Sequence, residues 1–281
     1  MARSGAGLMA PSYPCYSISL GIAVRSQSPS PRVARLSGAP TRLWMSRVLS
    51  RLYIRFLGKR PMPTVILSAS RTEMERFVEL HTEIDEMAQF ILLHHSYIKV
   101  LQQHFSSFQA LRMASDPQYV GKRLFVPKME ARHATDYWHH YRKLLSICKD
   151  DRYWKYVRGG ILERIAFTIV STKHANADDK LNGAFVSIDG KPYVCGHKRT
   201  VDIATWSRAE SAGWFLECKS HPQWFVDPDV LPYLRDLRGA LNQSVVGGVT
   251  LHSRQALEMF VPVGTLPGLR FWCSEELFTI A

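Results

Sequence analysis

The chain has 281 residues, 46% hydrophobic and 21% charged, enough for one large domain or two modest ones around a sizeable core. No run approaches the roughly 18 consecutive apolar residues of a membrane span; the longest candidate, Phe90-Ile91-Leu92-Leu93, stops at His94-His95. Five scattered cysteines (Cys15, Cys148, Cys195, Cys218, Cys273) form no C-x-x-C, which argues against a disulfide framework or zinc ribbon and fits reduced thiols in a cytoplasmic protein.

The net charge of +12 would ordinarily suggest nucleic acid or an acidic membrane as partner. Its distribution says otherwise. Residues 1–62 carry ten Arg or Lys and no acid, which leaves 26 basic against 24 acidic residues in the remainder. The basicity belongs to an N-terminal extension (1–62), and the body is close to neutral. The first 40 residues are rich in Ser, Pro, Gly and Arg and read as disordered. Residues 44–60 place Arg47, Arg51, Arg55 and Lys59 at four-residue intervals, a basic amphipathic helix. Three readings compete: a mitochondrial transit peptide, a phosphate-binding arm, or a start codon assigned too early, with translation beginning near Met62 or Met74. The abrupt change in composition favours the third.

Residues 63–153 read as an α-helical region. Met74, Phe77, Leu80, Ile84, Met87, Ile91 and Ile98 recur at three- and four-residue intervals over 72–113, with Thr72 and Glu75 as a capping box and Asp116-Pro117 as the break. Further helices are predicted over 130–149 and 154–171. From residue 154 to 281 the pattern becomes α/β. Strands are predicted at 184–188, 192–195, 201–206, 213–219, 245–251 and 269–273, with helices at 229–243 and 255–260. Asp189-Gly190 marks a hairpin turn.

One stretch resists an ordinary reading. The apolar run Trp214-Phe215-Leu216 leads straight into Glu217-Cys218-Lys219, although an unpaired charge is expensive to bury. Residues two apart on a strand share a face, so Glu217 and Lys219 project with Phe215, while Trp214, Leu216 and Cys218 face the other way. Asp202, between Val201 and Ile203, lies on the preceding strand, and the segment between is of hairpin length. Two carboxylates brought together repel unless a divalent cation lies between them, and hard oxygen donors suit Mg²⁺ or Mn²⁺. A lysine beside such an ion can orient water and stabilise phosphorane-like charge. The bland alternative is a cross-strand salt bridge contributing little.

Asp202 followed by Glu217-Cys218-Lys219, within helix, three strands, helix, strand over about 155–252, resembles the PD-(D/E)xK nuclease superfamily and its restriction-endonuclease-like fold. The resemblance implies a mixed sheet flanked by helices and a Mg²⁺-dependent phosphodiesterase acting on nucleic acid, with DNA ranked ahead of RNA and Mn²⁺ able to replace Mg²⁺. Asp202 and Glu217 would bind the metal, the Cys218 carbonyl would be a further ligand, and Lys219 would position the attacking water. Glu163, in GGILERIAFTIV, takes the place of the helix carboxylate often added in that family, and Gln243 is a weaker match to a family glutamine. The proline before the aspartate is missing; Val201 stands there. The runner-up is a nuclease-fold module that binds nucleic acid or protein without cutting. The helical region would read substrate, sense a ligand or join subunits into a homo-oligomer.

Other signals have ordinary explanations. The interleaved aromatic and basic residues of 135–160 read as core rather than a base-stacking surface. Asp178-Asp179-Lys180 is a chance match in a polar turn. Asp136 with His140, and Cys195 with His197, complete no ligand set. Gly159-Gly160 has no Walker lysine after it, and no G-x-S-x-G supports a serine hydrolase.

Overall fold

The computed structural model describes residues 62–70, 77–106, 110 and 133–280. Its centre is a seven-stranded mixed sheet: β1 (Val65–Ala69), β2 (Asp179–Ile188), β3 (Lys191–Pro192), β4 (Thr200–Ser207), β5 (Ala212–Lys219), β6 (Val245–Thr250) and β7 (Leu269–Trp272). The order is β1-β2-β4-β5-β6-β7, with β3 also paired to β2. Pairing is antiparallel from β1 through β5 and parallel from β5 to β7. The change follows from the connections. Hairpins join β2 to β3 and β4 to β5, whereas helices cross over before β6 and β7. Asp189 and Gly190 both take positive φ (51° and 75°), as a tight hairpin turn requires.

Among the described residues six named α-helices flank the sheet: α1 (His81–Leu93), α2 (Ile98–His104), α3 (Ala134–Ile147), α4 (Asp151–Lys173), α5 (Val230–Ala240) and α6 (Arg254–Phe260). On one face α1 to α4 build a core with Ile203, Leu216, Cys218 and Val249. On the other, α5 and α6 join a 3₁₀ turn, Pro222–Val226, over Ala204, Trp206, Phe215, Val246 and Phe271. The inner strands β4 and β5 are therefore covered on both faces.

The stretch expected to be wholly helical (63–153) opens instead with a strand. β1 pairs with β2 from Val65↔Ile188 to Ala69↔Ala184, so this stretch contributes to the sheet. The single helix expected over 72–113 is also interrupted. α1 ends at Leu93, His94 leaves the helical region (φ −132°, ψ 69°), and its ring stacks on His133 at 3.8 Å. A 3₁₀ turn, His95–Tyr97, then leads into α2, which turns Tyr97, Ile98 and Leu101 into the same core as Ile84, Met87 and Ile91. The basic amphipathic segment, the Thr72–Glu75 capping box and Asp116-Pro117 lie outside the described residues.

α4 begins where its cap dictates. The Asp150 carboxylate accepts the backbone N–H groups of Arg152 (2.8 Å) and Tyr153 (3.1 Å), satisfying two of the donors that open the helix. The aromatic run of 135–160 is core: Tyr137 and Tyr141 are fully buried on α3, and the Tyr137 hydroxyl bonds His104 Nδ1 at 2.9 Å.

Candidate active site

The β4–β5 ladder runs from Ser207↔Ala212 to Ile203↔Leu216 and stops one pair short of placing Asp202 opposite Glu217. There the strands part. The freed N–H of Cys218 donates instead to Asp202 Oδ2 at 2.7 Å. Alternation on β4 also breaks at Asp202, because Val201 packs in one core and Ile203 in the other. Sheet splay and an inserted carboxylate thus coincide at one residue.

Glu217 is fully buried. Its Oε1 accepts from Lys198 Nζ at 2.6 Å and from Lys219 Nζ, and Lys219 Nζ also lies 3.9 Å from Asp202 Oδ2. The two acids therefore converge on one ammonium, and Phe215 and Glu217 share a face as alternation predicts. Glu217 Oε2 is buried with no hydrogen-bond partner among the described residues. Beside it Gly248, the β6 register partner, leaves the space that Phe225 fills; a Cβ there would stand 2.4 Å from the Phe225 ring.

Burial and the neighbouring Asp202 charge raise the Glu217 pKa, against the opposing pull of Lys219 and Lys198. For Lys219 burial works against the charge, but Asp202 and Glu217 outweigh it and hold the amine above the ordinary lysine value. Lys219 is accordingly an ammonium, a donor that cannot take a proton. The Cys218 thiol, buried among acids, is pushed up by burial first and then by Asp202, Glu163 and Glu217.

Glu163 thus lies within electrostatic reach of the same strand. α4, which carries it, packs across β4 and β5. Its side chain lines a cleft of about 290 Å³ with Gly159, Gly160, Asn182, Gly183, His81 and Tyr156, among others. Gln243 does not join the group. It sits in the exposed turn before β6, beside Trp214 at the start of β5, and so at the far end of that strand from Glu217. Sequence reasoning missed Lys198. It lies between β3 and β4 with no motif around it, and only the Cys195–Lys198 backbone bridge turns it toward Glu217.

The remaining sequence signals are structural. Asp178 and Asp179 hold Arg208 (3.6 and 2.8 Å), while Lys180 caps the carbonyls of Ser171 and Ala175. Asp179 and Lys180 lie in β2 rather than in the expected polar turn. His140 contacts Glu86 (3.4 Å).

The donor chemistry of Asp202 and Glu217 suits a hard divalent cation, and the orphaned Oε2 is an acceptor such an ion would satisfy. Among the described residues no three His, Cys, Asp or Glu side chains stand together as a ready ligand set. This is compatible with Mg²⁺, which commonly takes one or two carboxylates and keeps water or substrate phosphate for the rest.

No family model and no curated protein matches this chain. Among solved structures it is similar to "Crystal structure of protein VC1899 from Vibrio cholerae", with 14% identity and a TM-score of 0.44. That match covers 76% of this chain and 56% of the other, so the chain spans little more than half of that protein. Fold and site therefore rest on the chain's own geometry: an α/β protein with a seven-stranded mixed sheet flanked by helices.

Proposed function

We propose that the protein is a metal-dependent nuclease of restriction-endonuclease-like fold, hydrolysing phosphodiester bonds in DNA. The observation that carries the reading is a fully buried Glu217 with one oxygen unpartnered, next to Asp202 and an ammonium, where β4 and β5 part. A folded protein retains so costly a group where it is used.

Asp202 and Glu217 would hold Mg²⁺ or Mn²⁺, with the Cys218 carbonyl and Glu163 as further oxygen donors at the rim. The bound cation would supply Lewis acidity to a phosphate oxygen and a more acidic water. Lys219, held protonated, would orient an attacking water or donate to the charge building on phosphorus. Glu217 would present its unpartnered Oε2 to the bound cation. Lys198 holds the other oxygen and fixes the carboxylate plane.

The second reading, a module that binds without cutting, is favoured by one observation: Lys198 and Lys219 both pair with Glu217 and balance its charge from within the protein. Two measurements separate them. Lys219→Ala should lower Mg²⁺- or Mn²⁺-dependent cleavage of a mixed DNA substrate by two or more orders of magnitude, and full retained activity refutes the nuclease. Calorimetric titration with MgCl₂ should give binding that Asp202→Asn removes. Identical heats for the two proteins leave the non-cutting module.

A further inference from the structure

Three elements bring nitrogen-bearing side chains to the edge of this site that none of the roles above uses. Arg158 is on α4, five residues before Glu163. His221 lies two residues past Lys219, and His252 two past Thr250, the β6 residue paired with Lys219. The two imidazoles stand edge to face, centroids 4.5 Å apart. The Arg158 guanidinium lies 4.1 Å over the Trp154 ring, and its Nε is buried with no hydrogen-bond partner among the described residues. His221 Nδ1 accepts the Gln223 backbone N–H at 3.2 Å, which leaves the proton of the neutral ring on Nε2 as a donor.

Among the described residues no acidic side chain forms an ion pair with Arg158, His221 or His252. Burial lowers Arg158 to about 10 and His252 to about 4, and takes His221 below its ordinary value, while the Arg158 charge further disfavours protonation of both rings. The acid whose charge reaches Arg158 is Asp151, and its carboxylate is held by Lys155 at 2.6 Å. A half-buried guanidinium whose Nε is shut off from water and unpartnered is costly unless a ligand supplies an acceptor.

We infer that Arg158, His221 and His252 form a phosphate-binding subsite beside Lys219, which takes a phosphodiester of a bound nucleic-acid strand next to the one being cut. A planar guanidinium matches two phosphate oxygens at once, and its stacking on Trp154 fixes the fork in advance. Imidazole N–H groups supply the remaining donors. Phe260, 37% exposed and 5.4 Å from the His221 ring, offers an apolar face to an unpaired base at the same corner. The inference rests on the nucleic-acid substrate proposed above, but its test needs neither metal nor turnover.

The probe is a fluorescein-labelled single-stranded oligodeoxynucleotide, titrated by anisotropy with full-length protein in excess EDTA. Arg158→Gln and His252→Gln should each weaken binding about tenfold at low salt, the scale of one charge-assisted hydrogen bond. Arg158→Gln should also flatten the slope of log affinity against log salt by about 0.7, the share of one phosphate contact on a single strand. Inorganic pyrophosphate should displace the strand from wild type more readily than from Arg158→Gln. Near-UV circular dichroism checks the fold of Arg158→Gln, and His252→Gln, outside α4, carries the test if that variant unfolds. Wild-type affinity and slope in both variants overturn the subsite. So does pyrophosphate binding with unchanged strand affinity, because the pocket would then serve a free phosphate. Cleavage that survives Lys219→Ala would sink the nuclease while leaving this binding result readable.

Discussion

Glu217 is where site chemistry and folding stability oppose each other. Its pKa is raised by burial and by Asp202, so the folded state resists ionising it. The sign follows directly. A carboxyl raised on folding favours the native state below the ordinary carboxylate range and loses that contribution as pH rises through the folded value. Glu217→Gln, which cannot ionise, should therefore raise Tm by a few degrees at pH 8 in EDTA, with the gain vanishing toward pH 4. Wild type should recover the difference on adding Mg²⁺, since an ion bound only by the native state stabilises it by mass action. A fall in Tm for Glu217→Gln at pH 8 would instead mean that Lys198, Glu217 and Lys219 form a stabilising salt-bridge cluster and nothing more.

At the scale of elements, α4 joins the cleft to the sheet, and two adjacent glycines in its middle do different jobs. A Cβ on Gly160 would stand 3.1 Å from Ile84 Cδ1, so this residue sets how closely α1 can approach. A Cβ on Gly159 would meet only Glu163 Oε1 at 3.7 Å. Gly159→Ala should accordingly stabilise the protein by roughly 0.5–1 kcal/mol, the helix-interior difference between the two residues. Gly160→Ala should offset that gain or reverse it, because the packed Ile84 must move. Urea denaturation of both variants checks this; equal stabilisation would mean the α1–α4 contact is loose.

Legibility in the sequence follows the same elements. Strands with alternating apolar residues and clear turns, β4, β5 and β6, are visible from periodicity alone, and alternation places Glu217 and Lys219 on one face. β1 is not visible, because VILSA is short and owes its strand conformation to pairing with β2, more than a hundred residues away. His94 escapes for a related reason: no local breaker stops α1, and the ring that stacks on it arrives from residue 133. Lys198 and the Arg158, His221 and His252 group follow the same rule. Each comes from a different element with no spacing to connect them, so only the folded chain brings them together.

At the scale of the molecule, charge divides the chain into a basic extension and a near-neutral body, and the sheet says which cuts spare β1. Removing residues 1–61 takes away ten basic residues and stops short of β1. A chain beginning at Met62 should keep the full-length Tm and lose mainly salt-sensitive, non-specific affinity for nucleic acid. Beginning at Met74 is a different matter. It removes β1, including the buried Val65, and with it the bonds from Ser70 N–H to Gly183 O and between Thr64 and Asp189, all at 2.8 Å. The ten-residue β2 would then present a bare edge, open to pairing with other chains. At about 1 kcal/mol net for each ladder hydrogen bond, the loss should amount to several kcal/mol. The Met74 chain should melt well below the Met62 chain and aggregate with rising concentration, as seen by light scattering during a thermal ramp. Equal melting of the two would mean that β1 is an ornament of the sheet, and that the fold around Asp202 stands without it.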